Sequence, residues 1–338
     1  MKIFNETYKD KQLALSFFDT YFKGKKYAIF DIETTGLSPK NCQVILSGFV
    51  VPNGDGTFQM IQYFAESLSE EAKVLSATAK IIDQMDFIIT FNGKTFDMPF
   101  VEKRMELLNI NSLKNPTDVY NLDIYKIVRQ FSDIKKFVPN LKQKTLENFL
   151  GLYETRADLI DGGTSVDQYF EYLETHDPEL ERTILLHNSD DVMQLNRLCN
   201  ILKKVDFHRA MATCGFPCVK TNVHEVKLLK QTLKITGSTQ LNDSVIYLDE
   251  LSLKVDISHG DMQINLKVNQ QDGLVFVDLN GLFDNFSDNW SDIISDFENC
   301  NGLYLEHFLM LKVDNEINYK AMNLLAKYLI ERIEVYEH

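Results

Sequence analysis

The chain is short of positive charge. Its 338 residues carry 35 Lys and Arg against 49 Asp and Glu, a net charge of −14. A broad, charge-driven coat of nucleic acid over the surface is therefore excluded, and any polyanion must be gripped locally. Residues 1–207 hold 24 basic against 30 acidic side chains, and the remainder holds 11 against 19. No apolar run approaches the ~18 residues of a membrane span, so no membrane partner is expected. The opening stretch, MKIFNETYKDKQ, lacks the apolar core of an export signal, and a cytoplasmic location is expected. Cysteine is scarce, odd in number and scattered (Cys42, Cys199, Cys214, Cys218, Cys300), which suits reduced thiols. Cys214 and Cys218 lie between His208 and His224, but that spacing matches no standard zinc finger. Small buried thiols in a linker are the expected reading.

Apolar mass is not lacking. At 44% hydrophobic the chain can bury a large core, and two domains are expected, at 1–207 and 208–338. Within the first lies YAIFDIETTG, residues 27–36. Tyr27 to Phe30 are uncharged and suit a strand buried on both faces. Asp31 and Glu33 follow, separated by Ile32. Side chains two apart in a strand share a face, so the two carboxylates point one way while Ile32 turns to the core. Paired acids are costly unless a cation or proton lies between them. Alone they read equally well as a solvated strand end. A divalent-metal site needs further acids from elsewhere in the chain.

Around this strand the pattern is mixed α and β. Residues 5–23 place Leu13, Phe17, Phe18 and Tyr21 at helical spacing, which predicts a helix. Residues 43–51 and 57–65 read as strands joined by the hairpin turn Asn53-Gly54-Asp55-Gly56. Ser69 opens a helix to about Gln84, with Glu70 and Glu71 in its first turn where the dipole favours anions. Residues 86–91 form a short strand parallel to the first across that helix. The next helix begins near Met98-Pro99, so Asp97 sits close to its N-cap. Residues 119–131 pass from strand to helix. Lys135, Lys136, Lys142 and Lys144 then form the densest basic run, read equally as a solvated loop or as a phosphate contact. A short helix covers Thr145–Phe149. Residues 179–204 form a long amphipathic helix on which His187 and Asp191 share a face. Beyond residue 207, LSLKVDIS, MQINLKV and GLVFVDL predict an antiparallel meander, and residues 317–336 a one-faced helix. A small α+β interaction domain, with a protein partner, is expected there.

Three stretches together carry a family resemblance: DIETTG from Asp31, TFNGKTFD from Thr90 to Asp97, and HNSDDV from His187. In this order they resemble the DnaQ-like (DEDD) 3′–5′ exonucleases of the ribonuclease H-like fold. FNGKTFDMPF and HNSDDV, with KTLENFLG, resemble the YprB-like branch in particular. The resemblance covers roughly residues 25–205. It implies an α/β domain, a ribonuclease H-like mixed sheet flanked by helices, with the C-terminal α+β domain attached. It also implies phosphodiester hydrolysis with two Mg²⁺ or Mn²⁺ ions. Asp31 would bridge both ions, Glu33 would hold one and orient the attacking water, and Asp97 and Asp191 would complete the shell. His187 corresponds to the residue that positions or deprotonates the water, although its distance from Asp191 is that of the family's tyrosine form. Asp190 is the alternative ligand. Thr35, Asn92 and Phe96 would line the slot for a terminal nucleotide, and Lys142 and Lys144 would meet phosphates. The implied partner is the 3′ end of single-stranded nucleic acid, DNA or RNA alike. Two alternatives stand beside this reading: a ribonuclease H-like endonuclease, and a catalytically weak nucleic-acid-binding or scaffold protein.

Overall fold

The chain begins with a strand, β1 (Lys2–Lys9), where helical spacing over residues 5–23 predicts a helix. In the computed structural model, which describes residues 1–10, 16–152, 155–157, 160, 162–248, 252–286, 297–298, 300–305 and 307–336, β1 pairs antiparallel with β4 (Thr57–Phe64). The register runs from Lys2 opposite Phe64 to Lys9 opposite Thr57. Ile3, Phe4, Thr7 and Tyr8 favour extended backbone, and the open edge of β4 supplies partners that a local spacing argument cannot see. Among the described residues, Ser16–Phe22 form the helix, α1. Leu13 falls outside the described residues. Phe22 of α1 packs on Phe87, with ring centroids 4.4 Å apart.

The chain divides by internal contacts into two units, Met1–Val205 and Asp206–His338. The first is built on a six-stranded sheet in the order β1-β4-β3-β2-β5-β6. Here β2 is Tyr27–Thr34, β3 is Val44–Pro52, β5 is Phe87–Thr90 and β6 is Tyr120–Asp123. The pairs β1–β4, β4–β3 and β3–β2 are antiparallel, whereas β2–β5 and β5–β6 are parallel. The sheet is therefore mixed. The expected hairpin joins β3 to β4, with Gly54 and Gly56 at φ 81° and 84°, values that glycine alone adopts freely.

Six helices follow in this unit: α2 (Glu71–Ile82), α3 (Asp97–Leu107), α4 (Ile124–Phe131), α5 (Gln143–Phe149), α6 (Gly162–Thr175) and α7 (Pro178–Leu198). Ala28, Phe30 and Ile32 of β2 share one core with α2 and α3. Leu46 and Phe64, on β3 and β4, pack with Tyr169 and Tyr172 of α6 and Ile184 of α7 in another. Period-two alternation then leaves Asp31 and Glu33 facing α7. α6 escapes the sequence patterns because it opens on Gly162-Gly163-Thr164-Ser165, all weak helix formers. Tertiary packing holds it: Tyr169 and Tyr172 meet Phe64 edge-on at 5.9 and 5.4 Å.

Glu71, at the start of α2, does not face solvent. It is 2% exposed and takes Arg104 of α3 in a two-pronged ion pair, at 2.8 Å from Nε and 2.6 Å from a terminal nitrogen. The same carboxylate accepts the Val44 N–H at 2.9 Å, and Arg104 also donates to the Pro39 carbonyl at 3.2 Å. This clamp fixes the loop that leaves β2 against two helices.

The second unit begins with α8 (Phe207–Cys214) and an antiparallel sheet in the order β10-β11-β12-β9-β8-β7. Its strands are β7 (Phe216–Cys218), β8 (Thr221–Leu229), β9 (Thr232–Thr239), β10 (Ser244–Leu248), β11 (Leu253–Ser258) and β12 (Asp261–Lys267). The β11–β12 turn falls at His259-Gly260, as the pattern predicts. Beyond it β12 pairs with β9, and β14 (Leu274–Asp278) instead joins a second sheet with β13 (Asn269–Gln271) and β16 (Phe308–Val313). α9 (Leu279–Phe286) follows β14. The short strands β15 (Leu303–Tyr304) and β17 (Glu316–Ile317) also pair with β16. The helix α10 (Tyr319–Tyr336) closes the unit, and its Asn323 donates to the His208 carbonyl at 2.8 Å. The unit is α+β and rich in sheet. Among the described residues, His208, Cys214, Cys218 and His224 do not come together as ligands. No helix of the described residues is long and apolar enough to cross a membrane.

Arg104→Met should strand the Glu71 carboxylate in the core and destabilise the first unit by about 3–5 kcal/mol. Urea titration of that unit's unfolding checks this. A loss below about 1 kcal/mol would mean that the pair does not hold the loop.

Candidate metal centre

β5 pairs with β2 only as far as Ile29, so the edge of β2 beyond that point is open. Asp97 fills it. Its Oδ1 accepts the Ile32 N–H at 3.2 Å, and the residue is 4% exposed. Asp97 is the first residue of α3, and Phe96 precedes it without a side-chain cap. The loop that delivers it is tightly specified. Asn92 sits at φ 67°, and a Cβ on Gly93 would lie 2.5 Å from the Thr90 side chain. The Asp123 carboxylate accepts the N–H groups of Asn92 and Lys94 at 3.0 and 3.2 Å.

α7 supplies the rest. His187 is 4% exposed, and its Nε2 lies 3.6 Å from both Glu33 Oε1 and Asp191 Oδ2. Ligand atoms of Glu33, His187 and Asp191 all lie within 4.8 Å of one another, the one such group among the described residues. Asp31 and Asp97 border this group. The Asp31 Oδ2 accepts a hydrogen bond from Asn188 Nδ2 at 3.0 Å.

The cluster carries the electrostatic signature of crowded, desolvated acids. Burial pushes the Asp31 carboxyl well above its usual range, and the negative charges of Asp97, Asp191 and Glu33 add to it. Burial also raises Glu33 to about 7, with Asp191 adding and His187 opposing. Asp97 is likewise raised to about 7 by burial, against the pull of its own N–H and that of Ile32.

Two neighbours are not foreseen from the sequence. Arg156 donates to Asp191 Oδ1 at 2.6 Å and also grips the buried Glu147 through two nitrogens at 2.8 and 2.9 Å. It lies in a loop with no periodicity, so nothing in the chain flags it. Asn188 did have a signal, since on a helix it flanks the His187–Asp191 face, but asparagine there reads as filler. Asp190, the alternative ligand, instead accepts the Ala157 N–H at 2.6 Å and lies outside the Glu33–His187–Asp191 group.

The residues expected at the substrate slot are partly engaged locally. The Thr35 hydroxyl accepts the Gln43 N–H at 2.9 Å, tying the loop back to the sheet. The Asn92 side chain accepts the Thr95 hydroxyl at 2.9 Å within its turn. Phe96 packs beside Phe100 at 5.5 Å, at the margin of the core. Lys142 is exposed at the N-cap of α5, whereas Lys144 Nζ donates to the Ile160 carbonyl at 2.6 Å. Between them, Gln143 donates to the Asp191 backbone carbonyl at 2.9 Å, which seats the start of α5 at the rim of the acid cluster.

A profile of the RNase H superfamily matches residues 28–203, a little over half of the chain. DNA polymerase 1 of Sulfolobus acidocaldarius is 24% identical over 163 residues, 44% of this chain and 18% of that polymerase. DNA polymerase III PolC-type of Ureaplasma parvum is 26% identical over 144 residues, 36% of this chain and 10% of its own length. The chain thus spans under a fifth of either polymerase. The structure of a family B DNA polymerase from Pyrobaculum calidifontis superposes with a TM-score of 0.46 and 14% identity, over 91% of this chain and 47% of that one.

Raised carboxylate pKa values set a pH dependence whose sign is fixed. Unfolded, these acids titrate near 4, so the folded state holds extra protons between about pH 4.5 and 7. Their stabilising effect is complete at low pH and is lost as pH rises through 7. In chelator, raising the pH from about 5 to 8 should cost the first unit on the order of 2 kcal/mol, or roughly 4–8 °C in Tm. Calorimetry in EDTA across that range is the check. A flat or rising Tm would mean that the acids are not crowded as described.

Proposed function

The chain belongs to the RNase H superfamily, and from that membership we propose that it is a divalent-metal-dependent nuclease that shortens single-stranded nucleic acid from its 3′ end. The observation that carries the reading is the convergence of Glu33, His187 and Asp191, bordered by Asp31 and Asp97, in one desolvated cluster. A set dominated by carboxylate oxygens suits hard ions such as Mg²⁺ or Mn²⁺. Cations would also offset the burial, and the repulsion added to it, that raise the carboxyl pKa values. Asp31, Glu33, Asp97 and Asp191 would hold two ions, with Asp31 shared. Bound there, they would supply Lewis-acid activation of water and stabilise the leaving oxygen.

The protein's own side chains account for the rest. His187 Nε2, between Glu33 and Asp191, takes the proton that the attacking water loses, and the two carboxylates stabilise the imidazolium that results. Histidine is the side chain best suited to such proton exchange near neutral pH. Arg156, on the far oxygen of Asp191, limits how far that carboxylate can swing. The exposed Lys135 and Lys142 would meet phosphates. Lys136 pairs with Asp133 at 2.7 Å, and Lys144 serves the Ile160 carbonyl.

The polarity of attack draws on the three-motif resemblance. A ladder growing shorter from the 3′ end of a 5′-labelled strand supports it, and efficient cutting of a closed circular strand would move the assignment to an endonuclease. A second reading, metal binding with weak turnover, draws on Arg156 occupying one of the two Asp191 oxygens. Ion binding without product in the same assay would favour it.

Asp31→Asn should remove at least ~3 kcal/mol of transition-state stabilisation, a rate loss of roughly a hundredfold or more, because a ligand and a charge go together. Wild-type turnover in that variant would overturn the site assignment. Each phosphate contact on a single strand gives a salt slope of about −0.7, so Lys135 and Lys142 together should contribute about −1.4. Replacing both with Ala should flatten the slope of log affinity against log salt by that amount. An unchanged slope would send the strand over another face.

A further inference from the structure

A straight row crosses the sheet on the side that faces α7. Asp31 of β2 stands opposite Gly48 of β3, and Gly48 stands opposite Gln62 of β4. The middle position has no side chain, and α7 uses the gap. The amide of Asn188 lies over Gly48 so closely that a Cβ built there would fall 2.0 Å from Asn188 Oδ1. Asn188 is fully buried and Gln62 is 3% exposed. From its place over the glycine the Asn188 amide touches both ends of the row. Its Oδ1 accepts from Gln62 Nε2 at 2.9 Å, and its Nδ2 donates to Asp31 Oδ2 at 3.0 Å.

The direction of this chain of bonds is not arbitrary. Gln62 Nε2 also donates to the Leu185 backbone carbonyl at 2.9 Å, and a carbonyl only accepts. The atom of Gln62 nearest Asn188 must therefore be its NH₂, so the atom of Asn188 facing it must be the oxygen. Only the NH₂ of Asn188 is then left for Asp31. A backbone group of α7 thus dictates, through two amides, that a donor meets the Asp31 carboxylate.

We infer that Asn188, oriented by Gln62 and admitted by Gly48, is a positioning residue that engages one oxygen of Asp31 and leaves the other for a divalent cation. This rests on the metal-dependent reading above. A carboxylate free to rotate would present its oxygens in many geometries, and groups that orient a ligand in this way typically govern metal affinity by 10- to 100-fold. The Gln62 amide donates to the Leu185 carbonyl and to Asn188, so its effect on metal binding is expected to pass through Asn188.

The test uses Mn²⁺ alone, followed by electron paramagnetic resonance on the full chain, with circular dichroism to confirm folding. Asn188→Asp keeps the shape but sets an acceptor against Asp31, and it should weaken Mn²⁺ binding at least tenfold. Gln62→Met keeps the volume and removes the donor. It should weaken binding severalfold and broaden the signal of the bound ion, which loss of packing alone would not do. Gly48→Ala should act like Asn188→Asp if it folds, and Gln62→Met decides the matter if neither of the others does. Folded variants that bind Mn²⁺ like the wild type, with an unchanged signal, overturn the inference and leave the nuclease reading intact. A wild-type chain that binds no Mn²⁺ overturns both.

Discussion

Carboxylates repel one another, and this chain brings Asp31, Glu33, Asp97 and Asp191 to one end of a strand, with Glu33 and Asp97 buried. Much of the surrounding structure answers that repulsion. Asp31 receives a donor from Asn188, Asp97 receives the Ile32 N–H, Glu33 lies beside His187, and Asp191 is held by Arg156. Even so, burial leaves Glu33 and Asp97 raised to about 7 and Asp31 well above its usual range, so neutralisation within the protein is incomplete. A site in that condition favours cations and protons alike.

Holding acids together also demands a rigid frame. Two buried Arg–Glu pairs provide much of it: Glu71–Arg104 under the loop that leaves β2, and Glu147–Arg156 beneath Asp191. Both are two-pronged, and such forks fix orientation as well as distance. Asp123 plays a comparable part for the loop before Asp97, tying down two of its N–H groups. The second fork reaches a site acid directly, through the Arg156 bond to Asp191.

The parts legible in the sequence are those set by local period. Alternation in β2 put Asp31 and Glu33 on one face and Ile32 on the other. The Asn53–Gly56 turn announced the β3–β4 hairpin, and helical spacing put His187 with Asp191. Leu13, Phe17, Phe18 and Tyr21 recur like a helix, while the strand β1 before them is decided by the open edge of β4, which no local period shows. α6 went unread because its stability comes from Tyr169 and Tyr172 on Phe64 rather than from its own residues. Asn188, Gln62 and Gly48 are far apart in the chain and meet only once the sheet and α7 are assembled. Arg156 likewise acquires meaning only beside Glu147 and Asp191. Glu71 shows the opposite case: a helix-start acid by local rules proves to be a buried clamp.

That the acid cluster is a cation site is best tested by anomalous scattering from crystals soaked in Mn²⁺. Two peaks bounded by Asp31, Glu33, Asp97 and Asp191, about 3.5–4 Å apart, are the predicted result. Saturating Mn²⁺ that leaves no peak between those side chains, while they keep the contacts described, would contradict it.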